Sequence, residues 1–136
     1  MKEEHQTQRE VKYFIANFGQ AHAENPVDGG YYPVYSWFGD TKMISKGDVM
    51  LLCCWGGHKG LWKGDAWGLG KVTGKEEREE NLFISYRYRQ FVPPIKGDDV
   101  YDCLTDAEKR KFRGARLTAN WLFNITPVSF LCAVSK

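Results

Sequence analysis

The run Val49-Met50-Leu51-Leu52-Cys53-Cys54-Trp55 constrains the fold more than any other stretch of this chain. It is continuously apolar, it follows the turn-forming Lys46-Gly47-Asp48, and its length suits a strand rather than a helix. Neighbouring side chains on a strand point to opposite faces, so a strand of this composition has to be covered on both. Residues 48–55 are therefore predicted as a strand buried on its two faces.

The rest of the chain is read around that strand. Val11 to Asn17 has the aromatic and β-branched composition of a strand. Phe18 to Ser36, with Gly19, Pro26, Gly29, Gly30 and Pro33 among its aromatics, is read as a long ordered loop. Ala66 to Thr73 is a strand whose Gly68 and Gly70 mark a bulge or a close approach. Glu76 to Glu80 is an acidic turn. Leu82 to Phe91 alternates, with Leu82, Ile84, Tyr86 and Tyr88 on one face and Phe83, Ser85, Arg87, Arg89 and Phe91 on the other; Val92-Pro93-Pro94 is expected to end it. Thr105-Asp106-Ala107-Glu108 matches a capping box and predicts a helix reaching about Gly114. Trp121 to Ile125 is a short strand, and Thr126-Pro127 opens a closing helix through Val134. Mostly antiparallel strands with a few covering helices predict an α+β fold, a small open β-barrel of five or six strands. Residues 1–10 are read as a flexible N-terminal segment and residues 11–136 as a single domain.

Composition narrows the function classes. At 136 residues, 43% hydrophobic and 26% charged, the chain belongs with soluble globular domains, and no apolar run approaches the roughly 20 residues that span a bilayer. Cys53, Cys54, Cys103 and Cys132 lack the paired spacing of a zinc site, and the charged start of the chain is unlike a secretory leader. Reduced thiols and a cytoplasmic location are expected. A net charge of +2 means that any footprint for a polyanion must be local.

Most chemical signatures fail. Gly68-Leu69-Gly70-Lys71 lacks the spacing of a phosphate loop and sits inside a strand. Cys53, Cys54 and His58 cannot converge on a metal, because adjacent strand residues diverge. No catalytic set, metal or cofactor is predicted. The aromatic content of 15% is the unspent feature: Trp37, Trp55, Trp62 and Trp67 crowd one Gly-rich third, which suits a socket for a flat ring. Asp40, just after Trp37-Phe38-Gly39, either accepts a hydrogen bond from that ring or closes the loop as an Asx-turn. Arg87 and Arg89 share a strand face, and Lys59 and Lys63 lie in the Trp-rich loop. Lys109, Arg110, Lys111, Arg113 and Arg116 fall on and just beyond the capped helix, either as a solvated face or as phosphate contacts. Cations interleaved with aromatics suit a single-stranded nucleic acid.

In this order the motifs resemble the PUA-like superfamily, and within it the EVE and YTH domains. Lys12-Tyr13-Phe14-Ile15 is similar to the opening YTH strand, with Trp37 placed like the first cage tryptophan. Met43-Ile44-Ser45-Lys46-Gly47-Asp48 before an apolar strand resembles EVE domains, and Gly68-Leu69-Gly70-Lys71-Val72 matches the superfamily's Gly-x-(Gly/Ala)-x-Val strand. Phe83 to Pro93 is similar to the later strand ending in Val-Pro, and Phe123-Asn124-Ile125-Thr126 with Phe130 resembles the EVE C-terminal segment. The resemblance implies a twisted barrel that flips a modified base of DNA or RNA into an aromatic pocket. Trp37 would stack on the base, and Asn17, Cys54 and Trp55 would line the pocket. Where YTH domains carry a further cage tryptophan, this chain has only Glu76 to Asn81, and Tyr86 or Trp62 would take that place. The alternatives are an ASCH-type small hydrolase acting on a modified nucleoside, whose Gly-x-Lys-x-x-Glu-x-Arg pattern is absent here, and a protein-interaction domain.

Overall fold

A computed structural model describes residues 10–18, 31–35, 40–54, 64–79, 81–113 and 122–136. Six strands, β1 (Tyr13–Phe18), β2 (Tyr31–Tyr35), β3 (Val49–Cys54), β4 (Ala66–Arg78), β5 (Asn81–Ile95) and β6 (Leu122–Ile125), form one sheet in the order β2-β5-β4-β3-β1-β6. Among the described residues three short helices accompany it: α1 (Gly97–Asp102), α2 (Asp106–Arg113) and α3 (Pro127–Val134). The class is α+β, and the sheet is mixed, because β1 and β3 pair in parallel while the other described pairs are antiparallel. Among the described residues β2 and β6 are its two edges and no ladder closes it into a barrel.

β3 behaves as its composition demands. Met50, Leu51, Leu52, Cys53 and Cys54 are all fully buried. Alternation sends Met50, Leu52 and Cys54 to one face, where they pack with Phe14, Ala16, Ile44, Trp67, Val72, Ile84, Tyr86 and Leu122. Leu51 and Cys53 go to the other, with Ile15, Ala66, Phe123 and the helix residues Val100, Phe112, Phe130 and Ala133. Burying each Leu or Met side chain contributes about 1.5–3 kcal/mol, so β3 alone anchors both layers.

The turn into β3 is built by its own residues. Gly47 has φ +97°, a conformation that glycine adopts without steric cost. Its N–H donates to Val72 O at 2.9 Å, and the buried Asp48 carboxylate accepts the Lys12 N–H at 3.0 Å and the Ser45 N–H at 2.9 Å. The start of β1 is thus fastened to the turn.

The capping box forms: Thr105 Oγ1 accepts the Glu108 N–H at 3.2 Å, and Glu108 Oε1 accepts the Thr105 N–H at 3.0 Å. Glu108 does more than the pattern requires. Its Oε1 accepts the Ser129 hydroxyl at 2.6 Å and its Oε2 the Thr126 N–H at 2.7 Å, so one buried carboxylate joins the starts of α2 and α3. Thr126 caps α3 by accepting the Ser129 N–H at 3.1 Å, with Pro127 in the first turn. Phe130 of α3 then stacks on Tyr13 at 4.3 Å between centroids.

Several boundaries and pairings differ from the expectation. Tyr31–Tyr35, expected as loop, is strand β2, paired with Asn81–Ser85 of β5. That pairing supports an outer hairpin, so β4 continues through the acidic Glu76 and Glu77 to Arg78, and the turn begins only at Glu79. β5 runs past Val92-Pro93-Pro94 to Ile95: the register jumps from Gly68↔Gln90 to Ala66↔Ile95, so the prolines, with a cis Val92–Pro93 bond, occupy a bulge that requires no ladder hydrogen bond there. Helix α1 is additional. Cys103 and Cys132 form a disulfide, which corrects the expectation of four reduced thiols; Cys53 and Cys54 are free and buried. The cytoplasmic expectation rested on those thiols and on the charged start of the chain, and it loses the first support, since disulfides belong mainly to oxidising compartments. No described helix is long and apolar enough to cross a membrane. The N-terminal segment 1–9 lies outside the described residues.

Candidate nucleic-acid interface

Parallel pairing of β1 with β3 brings their carboxyl ends side by side, Asn17 opposite Cys53 and Phe18 opposite Cys54. Backbone hydrogen bonds clip this end of the sheet together. The Cys54 N–H donates to Asp65 O at 2.8 Å, and the Gly64 N–H donates to Cys54 O at 2.7 Å. Asp65 Oδ1 accepts the Gly97 N–H at 2.7 Å, fixing the start of α1 at the same place.

The pocket-lining candidates divide between the two faces. Cys54 and Tyr86 belong to one apolar cluster together with Trp67. Asn17, paired with Cys53 and alternating with Ala16, lies on the helix-covered face, 5% exposed. Tyr86 is 1% exposed, and burial, with Tyr88 as a second cause, pushes its phenol up to about 12. Tyr88, two residues on, is only partly buried and meets Trp67 edge-on at 6.0 Å. Alternation placed Tyr86 and Tyr88 together, and no local signal separates a tyrosine in the middle of the core from one at its margin.

The glycines of β4 are occupied by packing. A Cβ at Gly68 would stand 2.9 Å from the Arg89 carbonyl oxygen, and one at Gly70 would stand 3.3–3.4 Å from Leu52, Met50 and Tyr86. Both positions let core and backbone approach.

Asp40 holds the outer edge of β6. Its N–H donates to Leu122 O at 3.1 Å, its Oδ2 accepts the Asn124 N–H at 2.7 Å, and its carbonyl closes a turn with the Met43 N–H at 3.0 Å. Lys111 Nζ is 3.9 Å from the same carboxylate oxygen. Burial pushes the Cys53 thiol up, with the neighbouring Cys54 and Asp65 adding to the effect, which keeps it protonated and unreactive at neutral pH.

The cations fall into two groups. On α2, Lys109 Nζ lies 4.9 Å and the Arg113 guanidinium 4.4 Å from the centroid of the Tyr101 ring, so both are engaged within the helical layer, while Arg110 is exposed. Arg87 and Arg89 are exposed on β5, opposite Lys71 and Leu69 respectively. Trp37, Trp55, Trp62, Lys63 and Arg116 lie outside the described residues. Comparison of the sequence with protein-family models and with characterised proteins finds no match.

Proposed function

We propose that this chain is a binding module that takes a modified nucleobase of DNA or RNA into an aromatic pocket, in a PUA-like, EVE/YTH-type barrel, with no catalysis of its own. The observation that carries the reading is the side-by-side ending of β1 and β3. The carboxyl ends of adjacent parallel strands are a recurrent place for ligands, because the segments leaving them diverge and open a crevice. Trp55 directly follows Cys54. Trp37 precedes by three residues Asp40, which is bonded to Leu122 and Asn124; Leu122 in turn pairs with Ala16 of β1. Three residues reach at most about 11 Å, a span that allows Trp37 to approach the end of the sheet where Trp55 follows Cys54 in the chain. An aromatic pair there would supply stacking, and polar groups around it would choose the base.

Titration of labelled single-stranded oligonucleotides, with and without a modified base, against wild type and Trp37→Ala tests the reading. Stacking is worth about 1–3 kcal/mol per base, so the substitution should weaken binding of the modified oligonucleotide by roughly five- to 150-fold and abolish the preference for it. Equal binding of both oligonucleotides by both proteins would overturn the proposal, and turnover of a modified nucleoside would favour a hydrolase.

A further inference from the structure

We infer that Lys71, Arg87 and Arg89 form a phosphate track for single-stranded nucleic acid on the part of the helix-side sheet face that the helices leave open. This deepens the nucleic-acid reading above and rests on it. The register fixes the geometry. Tyr13, Val49, Lys71 and Arg87 stand in one row across β1, β3, β4 and β5, and Ile15, Leu51, Leu69 and Arg89 stand in the next. The inner members of both rows pack under the helices, whereas Lys71, Arg87 and Arg89 at the outer end are exposed.

Two features say that this cluster exists for something outside the chain. Lys71 and Arg87 are directly opposite each other, an arrangement of like charges that destabilises an antiparallel pair. Among the described residues no carboxylate forms an ion pair with any of the three. Most cations of α2, by contrast, are drawn to Tyr101 and Asp40. An unneutralised cluster attracts a polyanion. Arg87 and Arg89 are two strand residues apart, about 7 Å, and Lys71 adds a third charge beside the first, so the charges follow a line rather than surround one point. Beside them the Thr73 hydroxyl donates to Ser85 Oγ at 3.0 Å, which leaves the Ser85 O–H as a neutral donor along the same line. Guanidinium forks and hydroxyls suit phosphodiester oxygens, and a linear arrangement suits an extended strand. In the sequence Lys71 stands only at the end of a Gly-rich run that fails as a phosphate loop; the register reveals its cationic neighbours.

The test compares wild type, K71Q/R87Q/R89Q and a control of equal charge loss, K42Q/K46Q/K96Q, by fluorescence anisotropy with unmodified and base-modified oligonucleotides over a salt series. Three lost phosphate contacts should reduce the slope of log affinity against log salt by about 2 for both oligonucleotides, with the control close to wild type. The track variant should also melt no lower than wild type, since it relieves a like-charge pair. An unchanged slope in a track variant that is folded and binds like wild type would overturn the track while leaving the pocket reading intact. Loss of base preference in wild type with the slope difference preserved would do the reverse. A lowered melting point would assign the three residues a structural role, and tighter binding of polyglutamate than of an oligonucleotide of equal charge would assign them to an acidic protein; either overturns the proposal.

Discussion

Tyr86 and Tyr88 show how much a difference of two positions decides. Both point to the same face, yet Tyr86 is enclosed by Val72, Ile84 and the backbone of Gly70, while Tyr88 keeps part of its ring at the margin. The neutral phenol of Tyr86 is favoured by burial, so its pKa is raised above the unfolded value. A raised pKa of this kind adds stability that is complete below about pH 10 and is lost as pH climbs through about 12. Ultraviolet titration of phenolate absorbance should therefore show one tyrosine ionising late, near pH 12, and the Tyr86→Phe variant should lack it and lose less stability in that window. A Tyr86 that titrates near 10 in the folded protein would place it in an open pocket instead. Alternation made the shared face legible in the sequence. Depth was not legible, because it depends on Ile44 and Val72, which come from other parts of the chain.

Elements with local punctuation were readable, and those defined by distant partners were not. Thr105 with Glu108, and Thr126 with Pro127, marked the starts of α2 and α3 because each cap is made within one turn. β2 is short, contains Pro33, and exists as a strand by pairing with β5 some fifty residues later. The Cys103–Cys132 disulfide was hidden for the same reason: its residues are 29 apart in sequence, and only the packing of α3 beside the end of α1 brings them together. A cross-link closing a loop of that length restricts the unfolded chain by roughly 3–4 kcal/mol. Protein prepared without reductant and then denatured should take up alkylating reagent at two cysteines, Cys53 and Cys54, and Cys103→Ser with Cys132→Ser should melt at a lower temperature. Labelling at all four positions would contradict the cross-link.

At the scale of the whole molecule, the two sheet faces differ. One packs the buried apolar cluster of Cys54, Trp67 and Tyr86, with Tyr88 at its margin; the other is covered by helices over β6, β1 and β3 and ends in the exposed Lys71, Arg87 and Arg89 over β4 and β5. The parallel β1–β3 pair sets the polarity, because it places two carboxyl ends at one end of the sheet. A single strand bound as proposed would put a base at that end and run its phosphates across the cationic row. The most direct test is a two-dimensional NMR titration of amide and indole N–H resonances with a base-modified oligonucleotide, the indoles assigned by single Trp→Phe substitutions. Shifts concentrated at the Trp37 and Trp55 indoles, at Asn17 and Cys54, and along Lys71 and Arg87 to Arg89 are the predicted result. Shifts confined to α2, or indole resonances of Trp37 and Trp55 that do not move while the oligonucleotide binds, would contradict it.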